Sequence, residues 1–154
     1  MENDKIIYRS FEGFPDANLF EKLSLLYQDI FDDADLQIFE DRLKTKKDVL
    51  IIMAFAGEDL IGFKIGYLYK STIFYSWVGG IHKDYRRIGI ASELARLQET
   101  HVKNKGYHKL RTKSMNRFKP MMALNLKNGF DILDVYTNES GQTKIIFEKD
   151  ISLK

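Results

Sequence analysis

The chain has 154 residues, 44% hydrophobic and 30% charged, with eleven Phe and eight Tyr; that suits one domain with a real core and excludes disorder. Cysteine is absent, which excludes disulfides, thiolate metal sites and a cysteine nucleophile, and no metal is expected. Net charge is only +2, but residues 1–60 hold 14 acids against 7 bases while residues 61–154 hold 8 against 17, so an anionic ligand is expected on the second half.

The charged start MENDKIIYRS lacks the apolar stretch of a secretory signal, and no run reaches the ~18 apolar residues of a membrane span. A cytoplasmic protein with no membrane partner is the expectation. Lys5–Arg9 reads as a first strand. Asp16 then precedes a helix in which Leu19, Leu23, Leu26 and Ile30 recur at spacings of three and four. A second helix is predicted over 35–45, after an acidic connection holding Asp29, Phe31, Asp32, Asp33 and Asp35. VLIIMAF, LIGFKIGYLY and IFYSWVGGI read as three strands joined by tight turns, an antiparallel meander. A helix follows over 89–105, and Gly106 stands at its C-terminal cap position. YHKLRTKS reads as a strand, 118–128 as a shorter helix, and FDILDVYT with TKIIFEKDI as a closing hairpin. The order β-α-α-β-β-β-α-β-α-β-β gives an α/β fold: a mixed, mostly antiparallel sheet with one parallel βαβ unit and helices on both faces. TKIIFEKD reads as an exposed edge through which a homodimer would form.

The chemically informative segment is Ile81-His82-Lys83-Asp84-Tyr85-Arg86-Arg87-Ile88-Gly89-Ile90-Ala91-Ser92, where a strand ends and a helix opens. A helix start presents unpaired N–H groups and the positive end of the macrodipole, and small residues at Gly89 and Ala91 let a phosphate approach them. A pyrophosphate suits such a loop best. The GxxxxGK[ST] string is absent, and Gly79-Gly80 do not fit a dinucleotide fingerprint.

Arg86-x-x-Gly89-x-Ala91 resembles the acetyl-CoA pyrophosphate loop of the GNAT superfamily of N-acetyltransferases, with ALNLKNGF some thirty residues later as a second match. The resemblance covers nearly the whole chain and is weakest over the first 45 residues. It implies a GNAT-like single domain over 1–154 and acetyl-CoA as cosubstrate. It also implies that backbone N–H groups of Arg87, Gly89, Ile90, Ala91 and Ser92, in the loop opened by Arg86, hold the pyrophosphate. Backbone near Ile81 would pair with the pantetheine arm, and Gly79-Gly80 would mark where the strands open. Relatives often carry an Asn near the start of the next helix, for which Asn116 is an approximate match. Where relatives carry a Tyr that protonates the departing thiolate, this chain has Asn125, which cannot serve as an acid of suitable pKa.

An alkylamine of pKa ~10.4 is neutral in only about one molecule in two thousand at pH 7, so a base or desolvation is needed. No carboxylate stands in IFYSWVGGI, which leaves His82 or a water relay. The acceptor expected is a primary amine on a small molecule or peptide, and the acidic connection suggests a cationic one. Two other readings stay open: a non-catalytic acyl-CoA sensor or degenerate relative, and a nucleic-acid module using Lys103–Lys119. The last is disfavoured because few aromatics there offer stacking, and no nucleic-acid partner is expected.

Overall fold

The structure is a computed structural model that describes residues 5–152. Its elements follow the expected order: β1 (Ile6–Glu12), α1 (Ala17–Ile30), α2 (Leu36–Thr45), β2 (Leu50–Ala56), β3 (Asp59–Lys70), β4 (Ile73–Ile81), α3 (Ile90–Asn104), β5 (Lys109–Met115), α4 (Lys119–Lys127), β6 (Asp131–Thr137) and β7 (Thr143–Asp150). They form one seven-stranded sheet in the order β1-β2-β3-β4-β5-β7-β6, in which only β4 and β5 run parallel.

Local sequence sets the helix boundaries. Asp16 caps α1 by accepting from Leu19 N at 2.8 Å, and Asp35 caps α2 by accepting from Gln37 N and Ile38 N. Gly106, at φ +94°, follows α3 in the left-handed conformation expected of a C-terminal cap. β1 continues to Glu12 rather than ending at Arg9, because Ser10, Phe11 and Glu12 extend the ladder with Ile52, Ile51 and Leu50.

Two cores sandwich the sheet. On one face Leu23 and Leu26 of α1 and Phe39 and Leu43 of α2 bury against Ile51, Met53, Phe63 and Ile65. On the other, Ile90, Leu94 and Val102 of α3 bury against Ile52, Ala54, Phe74 and Leu110. Every one of these side chains is at most 5% exposed, and burial of that kind is worth roughly 1.5–3 kcal/mol apiece before entropy is counted.

The last hairpin corrects one expectation. TKIIFEKD is not an edge: β7 lies between β5 and β6 and pairs antiparallel with both. The free edge on that side is β6, where Ile132, Leu133 and Val135 are each more than half exposed.

Candidate functional site

The site begins where the sheet stops being a sheet. β4 and β5 pair from Ile73–Lys109 to Ser76–Thr112 and no further. Just there β4 carries a bulge: Ser76 pairs with Gly66 and Val78 with Ile65, leaving Trp77 as the extra residue. A bulge bends its strand and increases local twist, so beyond it β4 leaves β5. Between them opens a cavity of about 1050 Å³, walled by the parted strands, α3 and α4.

At the mouth of this cavity, Arg87 (φ +66°) and Gly89 (φ +88°) adopt left-handed conformations on either side of Ile88. Such interruptions of the right-handed backbone fan successive N–H groups into a concavity that suits an anion. Gly89 is the N-cap of α3 and no side chain caps that terminus, so its first N–H groups remain free. No atom lies within 4 Å of where a Gly89 side chain would begin, so the space over the helix start is open. Arg86 folds back instead of pointing outward, its Nε donating to the Ile81 carbonyl at 3.0 Å, which ties the loop to the strand end. Glu93, the acid of the first turn, is gripped by Arg96 through two bonds of 2.7 and 2.8 Å, which neutralises it.

Gly79 and Gly80 are bare because neighbouring groups leave no room for a side chain, the β3 backbone and the Lys64 stem at Gly79 and the Ile30 side chain at Gly80. A Cβ on Gly79 would stand 2.9 Å from the Phe63 carbonyl and 3.4 Å from Lys64 Cγ; one on Gly80 would stand 2.9 Å from Ile30 Cδ1 on the opposite face. The Lys64 stem therefore crosses β4 over Gly79 and lines the cavity, as Ile30 does over Gly80. Burial alone lowers the Lys64 ammonium to about pH 8, with no carboxylate to offset it. Gln98 of α3 lines the same cavity, fully buried, and neither its Nε2 nor its Oε1 has a hydrogen-bond partner. An unpaired buried amide costs roughly 1–3 kcal/mol.

Sequence reasoning missed both residues. The signals were present: Lys64 is the one charge inside LIGFKIGYLY, and Gln98 interrupts the stripe Ile90, Leu94, Val102 at four-residue spacing.

Of the residues singled out from sequence, Ile81, Arg86, Arg87, Gly89, Ile90, Ala91, Ser92 and Asn125 all border the cavity. Asn116 does not; it sits in the turn after β5, where its carbonyl accepts from Lys119 Nζ at 2.7 Å. His82 does not either. Its Nδ1 accepts from Asp84 N at 3.1 Å, and its Nε2 lies 3.9 Å from Asp29. The acidic connection is also committed elsewhere: Asp35 caps α2 and Asp33 lies 3.4 Å from Arg117, while Phe31, not the acids, lines the cleft. Among the described residues no group of carboxylates and histidines could hold a metal ion, and no helix is long and apolar enough to cross a membrane.

Comparison with known proteins places this geometry. No curated protein sequence matches the chain. Among solved structures, the ribosomal-protein-S18-alanine N-acetyltransferase from Escherichia coli is similar at a TM-score of 0.79, with 14% identity over 95% of this chain and 96% of that one. A GNAT family acetyltransferase from Elizabethkingia anophelis with acetyl-CoA bound gives 0.74, with 18% identity over 96% and 99%. NAA60 from Arabidopsis thaliana in complex with a bisubstrate analogue gives 0.76, with 16% identity over 95% and 98%. At such identities the likeness is one of fold. The model of the Acetyltransferase (GNAT) family, however, matches residues 17–130, which take in both cores, the parted strands and the loop at Gly89. This chain belongs to the GNAT acetyltransferase family.

Proposed function

We propose that the chain is an N-acetyltransferase that moves an acetyl group from acetyl-CoA to a primary amine of a small molecule or peptide, in the cytoplasm and without a metal. The observation that carries this reading is the left-handed pair Arg87 and Gly89 at the open start of α3, set at the mouth of the cleft between β4 and β5. The cleft fits the donor in three respects. The nest suits a pyrophosphate, the unpaired edge of β4 from Trp77 to Ile81 suits an amide-bearing arm added like a strand, and the orphaned amide of Gln98 suits a polar group of that arm.

Acetyl-CoA would supply the activated thioester. The chain's own residues bind, orient and manage protons. Gly89, Ile90, Ala91 and Ser92 offer backbone donors at the helix start, and Arg86 keeps the loop closed on Ile81. In the transfer a C–N bond forms and a C–S bond breaks; the amine nitrogen gives up one proton, through water in the cleft, and the departing sulfur takes one up. Asn125 lines the cleft and can donate a hydrogen bond but cannot yield a proton. Lys64 can. With its ammonium at about pH 8 it is mostly protonated at pH 7 and releases the proton without a large barrier.

Calorimetry with acetyl-CoA and assay of free thiol across a panel of primary amines test the reading. Binding with amine-dependent thiol release is the expected result. Binding without thiol release for any amine would instead support an acyl-CoA sensor, the reading that Asn125 favours. Absence of binding at millimolar acetyl-CoA would defeat both.

A further inference from the structure

On the opposite side of the sheet lies a second cavity, of about 320 Å³. It sits beside the last paired rungs of β4 and β5, where Tyr75 faces Arg111 and Ser76 faces Thr112, and Thr112 borders both cavities. Four cations line it: Arg42, Lys46, Arg111 and Lys113. No carboxylate does so among the described residues. Arg111 is answered by Glu148 at 2.6 Å, but among the described residues no carboxylate pairs with Arg42, Lys46 or Lys113.

These cations are held by aromatic surfaces rather than by acids. Arg42 stacks on Trp77 at 5.0 Å and donates Nη1 to Tyr67 Oη at 3.0 Å. Lys46 lies over Tyr67 at 5.4 Å, and Lys113 over Tyr136 at 5.8 Å. A ring face orients a cation without neutralising it, leaving the charge for another partner. Tyr75 adds a hydroxyl, and burial pushes that phenol up to about 12, so it stays a donor across the physiological range. Tyr67 Oη, which accepts from Arg42, keeps its own hydrogen to donate. Guanidinium, ammonium and phenol donors with no competing acid form a receptor for an oxyanion.

We infer that this pocket binds a carboxylate or phosphate carried on the acceptor molecule, so that the preferred substrate is an amine bearing an anionic group. The inference rests on the acetyltransferase reading and names its substrate class. The pocket opens on the α2 face, whereas the donor cleft is walled by α3. Thr112 borders both cavities, so a molecule anchored by its anion in this pocket lies next to the parting of β4 and β5. Asp29 at the end of α1 and the three acids between α1 and α2, which from sequence alone suggested a cationic acceptor, line neither cavity.

The test compares matched amines in the thiol-release assay: 4-aminobutyrate and phosphoethanolamine against their neutral analogues 4-aminobutyramide and ethanolamine, with spermidine as the cationic arm. The expected result is a kcat/KM at least about tenfold higher for an anionic amine than for its neutral match. Arg42→Met and, separately, the exposed Lys113→Met should each raise KM for the anionic amine with kcat nearly unchanged, and leave the neutral amine unaffected. Circular dichroism checks that both variants fold. Inorganic phosphate should compete with the anionic amine. Equal or better turnover of neutral or cationic amines overturns the inference while leaving the acetyltransferase reading intact. Phosphate binding that does not compete assigns the pocket to a free anion and overturns it as well. Acetyl-CoA binding with no amine turned over defeats the acetyltransferase reading first, and this inference with it.

Discussion

The two sides of the β4–β5 parting are built from different materials. The α3 side presents mostly backbone: free N–H groups at the start of α3, an unpaired strand edge, one orphaned amide and one half-buried ammonium. The α2 side presents side chains, cations laid on rings and phenolic hydroxyls, and holds no acid among the described lining residues. A backbone site can be shared by many sequences because its chemistry does not depend on side-chain identity. A side-chain site states what one protein prefers.

Lys64 is the exception on the α3 side, a titratable side chain in the cavity wall, and replacing it should give the largest effect. Lys64→Met keeps the stem over Gly79 and removes the proton. If Lys64 serves the departing sulfur, kcat falls by roughly a hundredfold, while affinity for acetyl-CoA changes little. The alkaline limb near pH 8 should vanish from the pH profile of kcat. Stability gives an independent readout. The unfolded chain keeps this proton up to about pH 10.5, whereas the folded chain loses it near 8. Between those values the unfolded state binds more protons, so stability rises with pH, and at pH 7 keeping the ammonium charged works against the fold. The Met variant should be more stable at pH 7 and lose that slope in thermal melts. A variant that gains stability yet keeps kcat would make Lys64 a bystander.

Gly89→Val attacks the backbone side itself. The protein offers the new side chain room, so the cost comes from forcing a branched residue to φ +88° and from crowding the ligand. Affinity for acetyl-CoA should drop ~30–100-fold, equivalent to about 2–3 kcal/mol. The cationic pocket should be unaffected, its affinity for inorganic phosphate unchanged.

The difference between the halves also explains what could be read from sequence. The donor loop is local: Arg86, Gly89 and Ala91 lie within six residues, and the strand before and the helix after are legible from periodicity. The element order and the single parallel pair follow from the same local signals. The pocket on the α2 side gathers residues from α2, β3, β4, β5 and β7, and no spacing rule connects them. Lys64 was hidden for another reason. A register shift opposite Ala54/Phe55, where Ile61 is the extra residue of β3, breaks the alternation that would have assigned its face. TKIIFEKD was misread because a hairpin sequence does not say which of its strands joins the sheet.

Gln98→Leu sharpens the comparison at smaller amplitude. It replaces an unpartnered buried amide by an apolar side chain of similar size, which should leave the fold as stable or slightly more so. If the amide serves the donor's arm, affinity for acetyl-CoA weakens by about five- to tenfold, about 1–1.4 kcal/mol, as measured by calorimetry. Unchanged affinity would make the orphaned amide a cost of the fold without a function.

The smallest effect is expected where the sequence had suggested the largest. Asp32, Asp33 and Asp35 looked like an acceptor site, yet Asp35 spends its carboxylate on the amides of Gln37 and Ile38, and Asp33 meets Arg117 in the open. Such an exposed pair contributes at most about 1 kcal/mol. Asp33→Asn should therefore leave both KM and melting temperature nearly unchanged. Asp35→Ala should cost about 1 kcal/mol of stability through the lost cap, without altering the KM of any amine, spermidine included. A selective rise in KM for spermidine in either variant would return the acceptor to the acidic side and take it away from the tyrosine-lined cations.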